Sequence, residues 1–303
     1  MPSVGAVVVA YNSSTTIAAC VQSCLADPDV VGVVVVDNAR EEACRKAVVL
    51  MAKADRRVRY EPSVNQGFSR GCNRGAEMLP KCEDVAFINP DVELTQRLGR
   101  LADYLHQSPA VILAGRLRSL DNPEHVNARR AVSRGRELLA ACIGGDRAYA
   151  VTRTPSEPSA DWVWPVDQVA GALFIISVVD YKRLNGFDER FELYYDDVDL
   201  CARAKFLGGV TLIDEEWGIH HGGRSAATVS SMAYCVGTVS RTRYIHKYYG
   251  CGVGTRAYLV ALGVLEFVVR SATRRSEGQN ARVRAIRLQF REIARPGTVK
   301  VLH

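Results

Sequence analysis

Apolar residues in the first part of the chain come in short continuous runs, separated by longer segments of mixed character. Two of these runs, residues 4–10 and 30–36, are rich in valine, as is typical of strands covered on both faces. Strands that alternate with helices predict a mostly parallel sheet. We predict further strands at 58–60 and 85–88 and helices at 14–25 (capped by Ser13 or Ser14), 40–54 and 67–79.

The pattern is less regular between residues 120 and 164, where proline, glycine and arginine recur. We expect a long excursion over the ligand-binding face, because such loops often carry selectivity. Regular structure resumes at 168–177. It is followed by predicted helices at 178–184 and 196–207 and a short strand at 211–213.

Polar residues stand where three of the predicted strands end. They are Tyr11 with Asn12, Asp37 with Asn38, and Asn89 with Asp91. In open α/β sheets, ligands bind beyond the carboxyl ends of the strands. The pattern alone therefore predicts a ligand site at this edge of the sheet.

The composition is that of an ordinary soluble globular protein, with 48% apolar and 24% charged residues in a chain of 303. Nine cysteines are scattered without a Cys-x-x-Cys pair, and the first strand begins within a few residues of the start. We expect a cytoplasmic protein with reduced, mostly buried thiols, and neither a disulfide framework nor a zinc site.

The net charge of +6 is concentrated near the C-terminal end, because residues 270–303 hold nine basic and two acidic side chains. We divide the chain into a core, residues 1–229, and a helical basic region, residues 230–303. Within that region the apolar run 257–269, interrupted by Gly263 and Glu266, is shorter than the about 20 residues needed to span a bilayer.

A second helix of this region is amphipathic, with Val283, Ile286, Phe290 and Ile293 on one face and Arg284, Arg287, Arg291 and Arg295 on the other. Such a helix favours adsorption to an anionic membrane surface, here the inner face of the cytoplasmic membrane. The alternatives are a helical subdomain that packs on the core and a homo-oligomer interface. We do not expect nucleic acid as a partner.

Three carboxylates, those of Asp196, Asp197 and Asp199, lie within four residues. Acidic groups this close repel one another and need a cation, basic partners, solvent or a shared proton. One interpretation is the first turn of a helix, where aspartate is favoured by the helix dipole and by capping. The other is a general base beside a cation.

Glycines at positions 67, 71 and 75 invite comparison with a dinucleotide-binding loop. That loop should follow the first strand, which here leads into Tyr11 and Asn12, so a nicotinamide dehydrogenase is disfavoured. The glycines instead permit close approach of a helix and a ligand. Asp91, presented after the strand 85–88, is suited either to hold a divalent ion against phosphate oxygens or to cap a helix.

An ordered set of motifs covers roughly residues 4–225: residues 8–12, 36–38, 65–68 with Gly71 and Asn73, 89–91, 171–174, 186–191, 196–200 with Arg203, and 220–221. In this order the chain resembles the inverting glycosyltransferases of family 2, and especially their rhamnosyltransferase branch. The resemblance implies the GT-A fold, an α/β nucleotide-sugar-binding fold with a mixed, mostly parallel central sheet. The helical basic C-terminal region follows it.

The resemblance also implies where the donor binds. Val9, Ala10 and Tyr11 would line the nucleobase pocket, and Asp37 would contact the base or ribose, while Asn65, Gly67, Asn73 and Asn89 would shape the nucleotide-sugar cleft. Asp91 matches the last carboxylate of the family's metal-binding Asp-x-Asp motif, in which Asn89 here replaces the first aspartate. His220 matches a further metal ligand, with His221 as the alternative, and the implied cofactor is Mg²⁺ or Mn²⁺.

For catalysis, the resemblance assigns Asp197 as the general base. Asp196 would take part in catalysis by orienting the acceptor or the base, and with Gly171 and Ala172 it would bind the acceptor. Asp199 with Arg203 would support the helix through a charge pair. The implied reaction is inverting transfer of a sugar from a nucleoside-diphosphate donor, dTDP-L-rhamnose, to a saccharide or polyprenyl-diphosphate-linked acceptor. The alternatives are another hexose from a UDP or GDP donor, a soluble acceptor, or a nucleotide-sugar-binding protein without catalysis.

Overall fold

The computed structural model describes residues 2–119, 127–151, 163–222, 224–273 and 279–302. The strands are β1 (Val4–Ala10), β2 (Val30–Asp37), β3 (Val58–Pro62), β4 (Asp84–Ile88), β5 (Val92–Leu94), β6 (Ile112–Ser119), β7 (Ala128–Arg129), β8 (Val163–Val166), β9 (Gln168–Val169), β10 (Leu173–Ser177) and β11 (Val210–His220). Much of the predicted excursion between residues 120 and 164 lies outside the described residues.

Helices cover both faces of the strands and form the C-terminal end. They are α1 (Ile17–Leu25), α2 (Glu42–Ala54), α3 (Phe68–Glu77), α4 (Leu98–His106), α5 (Arg134–Ile143), α6 (Gly145–Tyr149), α7 (Val178–Arg183), α8 (Asp196–Ala204), α9 (Arg224–Tyr249), α10 (Val253–Ala272) and α11 (Gln279–Ala294).

Nine of the described strands form one sheet in the order β3-β2-β1-β4-β10-β6-β11-β5, with β8 also paired to β11. The strands β1 to β4 run parallel, whereas β10 is antiparallel to both β4 and β6. Strands β7 and β9 form a separate two-stranded sheet. These findings confirm the predicted α/β architecture with a mixed central sheet.

The valine-rich strands lie between two apolar cores because successive side chains of a strand point to opposite faces. In β1, Val8 packs into the core that contains residues of α1, α2 and α4, and Val9 packs into the core that contains residues of α3 and α8. Every residue of β1 is buried. Burial on both faces explains why the predicted strand 4–10 is confirmed to the residue.

Two element boundaries differ from the prediction. Helix α1 begins at Ile17 rather than near residue 14, and neither predicted serine caps it, because the Ser13 hydroxyl accepts a hydrogen bond from the backbone N–H of Tyr11. Strand β11 has 11 residues rather than the three predicted, since it pairs with β6 along most of its length.

All nine cysteines are free thiols, and six of them are buried, as expected. They include Cys20 and Cys24 of α1, Cys72 of α3 and Cys201 of α8, which face the two apolar cores. They serve as small apolar residues of the two cores.

The C-terminal helices pack on the core. Helix α9 is continuous across the expected boundary at residues 229 and 230, and the hydroxyl of Ser240 in α9 donates a hydrogen bond to the Leu193 carbonyl of the core at 2.9 Å. Lys247, also in α9, pairs with Asp188 at 2.7 Å. Helix α9 is therefore joined to the core by a hydrogen bond and an ion pair.

The buried face of helix α11 contains Ala281, Ala285, Gln289 and Ile293, whereas Phe290 is 39% exposed. The face that packs along α9 and α10 therefore coincides only in part with the apolar face predicted from spacing. The four arginines predicted on the opposite face, Arg284, Arg287, Arg291 and Arg295, are all exposed. Within the described ranges, no helix combines the length and apolar character needed to cross a bilayer.

Candidate functional site

A cleft of about 540 Å³ opens at the carboxyl edge of the sheet. Its walls come from distant parts of the chain: Asn89 after β4, Gly171 before β10, Asp196 and Asp197 at the start of α8, His220 at the end of β11, and Thr238 in α9. The sheet therefore brings together residues of the core and of the C-terminal helices around one cavity.

Helix α8 is entered through an unusual turn. Tyr194 and Tyr195 have φ angles of 62° and 63°, so two consecutive residues with side chains occupy the left-handed region. This conformation costs about 1–3 kcal/mol for each such residue and persists only where the surroundings hold it. The turn directs the first two residues of α8, Asp196 and Asp197, to the wall of the cleft.

The carboxylate of Asp197 is held by backbone groups on both of its oxygens. Oδ2 accepts a hydrogen bond from the N–H of Gly171 at 2.9 Å, and Oδ1 accepts one from the N–H of Val198 at 2.8 Å. Burial raises the pKa of Asp197 above its usual value, against the opposing effect of these bonds and of Arg129. A fixed carboxylate with a raised pKa is suited to accept a proton from a group in the cleft.

Asp196 and Asp199 have different environments from Asp197. Asp196 is 4% exposed, and burial together with the charge of Asp197 raises its pKa well above the usual value. Asp199 is fully buried and turned away from the cleft, where it accepts hydrogen bonds from Arg203 at 2.8 Å and from the Tyr248 hydroxyl at 2.9 Å. The predicted charge pair of Asp199 and Arg203 is thus present.

All three aspartates lie in the first turn of α8, as the helix interpretation expected, but capping bonds do not account for the whole cluster. Tyr195, the residue before α8, makes no side-chain hydrogen bond that caps the helix. The Asp197 carboxylate accepts the N–H of the next residue, Val198, and also the N–H of Gly171, which lies outside the helix. The three aspartates therefore divide into one carboxylate in an ion-pair network and two at the cleft.

Asp91 contacts His220, which is one of the residues that line the cleft. The Nε2 atom of His220 lies 3.2 Å from Oδ1 of Asp91, and His220 lines the cleft. This contact arises because β11 pairs antiparallel with β5, the strand that directly follows Asp91. Asp91 itself lines an adjoining hollow of about 200 Å³ with His221, whose Nε2 lies 3.2 Å from Glu93. Of the two histidines, His220 is the one that faces both Asp91 and the cleft.

The Asp91–His220 pair brings together one oxygen and one nitrogen atom of the kinds that bind divalent ions. In the part of the chain that the structure describes, no cluster of three or more histidine, cysteine or acidic residues suited to a metal occurs. The pair by itself fits the way Mg²⁺ and Mn²⁺ bind beside nucleotides, through one or two protein ligands with phosphate oxygens and water in the remaining positions.

The residues expected around the nucleobase lie at the ends of β1 and β2, at the same edge of the sheet. Val8 of β1 lies opposite Ile88 of β4 in the parallel pair, so Asn89 follows β4 at the same edge of the sheet where β1 ends. Val9 and Ala10 are buried, and Tyr11 is 40% exposed.

Asp37 is buried at the end of β2, and its own neighbours already satisfy its carboxylate. The Tyr60 hydroxyl donates to it at 2.9 Å, and the N–H groups of Ala39 and Arg40 donate at 3.0 Å each. The side chain therefore shapes the loop after β2.

Asn65, Gly67 and Asn73 hold the framework beside the cleft. The Asn65 side chain accepts a hydrogen bond from the N–H of Gly67, which has φ 103° and would clash with the Glu192 backbone if it carried a Cβ atom. Asn73, in α3, contacts the loop before α8. Its side-chain oxygen accepts the N–H of Phe187 at 2.9 Å, and its side-chain NH₂ donates to the Phe187 carbonyl at 3.0 Å. None of the three is among the residues that line the cleft.

A buried network that sequence analysis missed lies against the cleft. Glu137 of α5 accepts a hydrogen bond from the Tyr195 hydroxyl at 2.7 Å and lies 3.6 Å from Arg241 of α9, which in turn binds Glu266 of α10. Arg270 of α10 bonds to Glu266 at 2.8 Å and lines the cleft.

The sequence contained one signal of this network. Glu266 is a lone acid within the apolar run 257–269, and an acid at such a position needs a buried partner. The identity of that partner was not readable, since Arg241 lies 25 residues earlier on another helix.

Comparison with known proteins gives three findings. Residues 6–153 match the family model described as Glycosyl transferase family 2. Over 84 residues, 27% of this chain, the sequence is 33% identical to the rhamnosyltransferase WbbL of Escherichia coli (strain K12), and the aligned part spans only 31% of that protein.

The third finding is a structural likeness. The chain superimposes on the mannosyltransferase PcManGT from Pyrobaculum calidifontis, solved in complex with GDP-Man and Mn²⁺, with a TM-score of 0.54. The match covers 97% of this chain and 86% of the other at 14% sequence identity, so the likeness is one of fold.

Proposed function

We propose that this chain, whose residues 6–153 belong to glycosyl transferase family 2 and which has the GT-A fold, transfers a sugar from a nucleoside-diphosphate sugar to a hydroxyl acceptor. The observation that carries the proposal is the position of Asp197. Its carboxylate is held by Gly171 and Val198 at the wall of a cleft that also contains Asn89 and His220.

In the proposed reaction, Asp197 accepts the proton of the acceptor hydroxyl while that oxygen attacks the anomeric carbon. The nucleoside diphosphate leaves from the opposite face, so the anomeric configuration is inverted. Asp196, Gly171 and Ala172 form the acceptor side of the cleft, and the raised pKa of Asp196 favours a protonated carboxyl that can donate a hydrogen bond to the acceptor.

We assign the diphosphate to the opposite side of the cleft, near Asn89, Asp91 and His220. Asp91 and His220 would hold Mg²⁺ or Mn²⁺, which when bound neutralises the charge that develops on the leaving diphosphate. Asn89 adds an uncharged donor and acceptor next to that site. We assign Tyr11, which is exposed at the end of β1, to cover the base of the nucleotide.

For the donor sugar we propose dTDP-L-rhamnose. The support is the Asn89-Pro90-Asp91 segment and the partial similarity to a rhamnosyltransferase. The second candidate is another hexose from a UDP or GDP donor, which is favoured by the structural likeness to a mannosyltransferase bound to GDP-Man.

The acceptor we propose is a lipid-linked saccharide at the inner face of the cytoplasmic membrane. Val253, Val260, Val264 and Val268 are exposed along one face of α10, and the arginines of α11 are exposed as well. Exposed apolar and basic groups together favour an anionic lipid surface.

The transfer is tested with purified protein, a panel of dTDP-, UDP- and GDP-sugars, and a bacterial membrane extract as the acceptor source. We expect release of nucleoside diphosphate that requires Mn²⁺ or Mg²⁺ and stops with EDTA, and a product whose anomeric configuration is opposite to that of the donor. Donor binding without transfer in any fraction would favour a non-catalytic binding protein, and a retained configuration would refute the single displacement.

The membrane proposal is tested by co-sedimentation with vesicles that contain phosphatidylglycerol. Replacing Arg284, Arg287 and Arg291 by Gln should release the protein, whereas replacing Arg45, Lys46 and Lys53 of α2, which are equally exposed, should not. Equal loss in both variants would mean that only net charge matters. Binding that is unchanged in both would remove α11 from the interface.

A further inference from the structure

The left-handed turn before α8 needs an external constraint. Tyr194 and Tyr195 together hold a conformation that side-chain-bearing residues rarely adopt, and such strain persists only when neighbouring groups determine it. The turn decides where Asp196 and Asp197 enter the cleft, because it directly precedes both. Groups that hold the turn therefore determine the position of the acidic pair.

Contacts from outside the loop hold this turn. The Tyr195 hydroxyl donates to Oε1 of Glu137 at 2.7 Å, and Ser240 of α9 binds the carbonyl of Leu193 at 2.9 Å. The Tyr194 ring lies against α9 so closely that a Cβ atom on Gly237 would be 3.3 Å from it. The bond to Glu137 acts directly on one of the two left-handed residues through its side chain.

Glu137 is itself fixed by charge. It is 2% exposed, its Oε2 atom lies 3.6 Å from Arg241, and Oε1 also accepts the hydroxyl of Tyr149. Arg241 also pairs with Glu266, so α5 is joined to α9 and α10 at the cleft wall. A buried carboxylate with a charged partner and two hydroxyl donors has little freedom to move.

We propose that Glu137 is a positioning residue for the acidic pair: through the Tyr195 hydroxyl it holds the left-handed turn and so sets the position of Asp197 in the cleft. This rests on the proposed role of Asp197 in sugar transfer. Glu137 lies in α5 and its partner Arg241 lies in α9, so this role connects both helices to catalysis. Neither sequence motifs nor distance along the chain suggest that connection.

The test compares two tyrosines. Tyr195→Phe removes the hydroxyl that bonds to Glu137. Tyr258→Phe removes a hydroxyl on α10 that donates to the Arg134 carbonyl of α5 at 2.8 Å and, among the described residues, makes no hydrogen bond to the turn. Both variants lose one partly buried hydrogen bond and should melt at similarly lowered temperatures. We expect kcat of Tyr195→Phe to fall roughly tenfold or more with an unchanged donor KM, because misplacement of a reacting group lowers the rate steeply, and kcat of Tyr258→Phe to stay near wild type.

Glu137 variants extend the test. Glu137→Ala should behave like Tyr195→Phe, and the double variant should lose no more kcat than either single variant, since both remove the same contact. Glu137→Gln, whose amide oxygen still accepts from the Tyr195 hydroxyl, should recover part of kcat. Additive losses in the double variant, or equal kcat in Tyr195→Phe and Tyr258→Phe, would overturn the inference.

A measurement independent of turnover separates this inference from the proposed function. Amide hydrogen exchange of residues 193–199 should be faster in Tyr195→Phe than in Tyr258→Phe, because the turn loses its constraint. If the wild-type protein transfers no sugar but exchange differs as expected, the proposed function fails while Glu137 still holds the turn. If the protein transfers sugar but exchange and kcat do not differ between the two variants, only the positioning role fails.

Discussion

Replacement of Asp197 by asparagine tests the central chemical step. The change keeps the size and shape of the side chain but removes the basic oxygen that would accept the acceptor proton. General-base catalysis contributes about 10²–10⁴-fold, which corresponds to roughly 3–5 kcal/mol of the barrier. We therefore expect kcat of Asp197→Asn to fall by at least about 100-fold.

The structure also determines the effect on stability. The two oxygens of Asp197 each accept one backbone N–H, from Gly171 and Val198, and an asparagine can serve only one of them. The unmatched N–H costs about 1–3 kcal/mol. Loss of the charge offsets this cost. The pKa of Asp197 is raised in the folded protein, so this carboxyl contributes stability below its unfolded pKa and loses that contribution as the pH rises through the folded pKa. At pH 7 the two effects oppose, so we expect only a small change in melting temperature.

The assay is single-turnover release of nucleoside diphosphate with saturating donor and acceptor, together with calorimetric titration of the donor. A large loss of kcat with donor affinity kept within a few-fold supports Asp197 as the base. Asp196→Asn, at the buried residue directly before it, provides the comparison and should lose less. A kcat within threefold of wild type for Asp197→Asn, or a loss confined to donor binding, would refute this assignment.

Three further predictions follow from particular contacts. His220→Ala should raise the Mn²⁺ concentration for half-maximal activity by more than the roughly 10–100-fold that loss of an outer-shell partner costs; an unchanged requirement would exclude His220 as a ligand. Gly67→Ala should lower the free energy of unfolding in urea by more than about 1–3 kcal/mol, since φ is 103° and a Cβ would meet the Glu192 backbone. Gly135→Ala, in α5 with open space around it, should instead be neutral or stabilise by up to about 1 kcal/mol. Asp188→Asn should lower the free energy of unfolding by about 1.5–3 kcal/mol at pH 7. Burial raises the pKa of Asp188, but its basic partners outweigh burial and lower the pKa overall. The loss of stability should therefore vanish as the pH falls below about 4 and through the lowered pKa, and a loss independent of pH would contradict this reasoning.

The first half of the fold was readable from sequence because its signal is local. Strands buried on both faces, such as β1, carry continuous runs of valine, and the helices between them have their own period. Boundaries were less readable. Ser13 was a plausible helix cap, but its hydroxyl is used by Tyr11, and only the folded turn decides that competition.

The C-terminal helices show the same limit. Spacing placed Phe290 on an apolar face and four arginines on a basic one, and the arginines are exposed as predicted. The buried face instead contains Gln289 and Glu292, because what a helix buries depends on the polar partners offered by its neighbours. Gln289, for example, donates to the Leu259 carbonyl of α10 at 3.2 Å.

By itself the sequence determined the layered α/β core and the acidic cluster at 196–199, since both depend on residue types close together in the chain. The residue pattern left the three aspartates equivalent, and only the family resemblance gave them separate expected roles. The tertiary structure distinguishes them. Asp199 forms an ion pair with Arg203, Asp197 accepts a hydrogen bond from the N–H of Gly171, and Asp196 is buried beside Asp197. It also decides that His220 rather than His221 meets Asp91, and that Glu137 reaches the turn before α8. These contacts join groups far apart in the chain, and their geometry exists only once the sheet and the C-terminal helices have packed together.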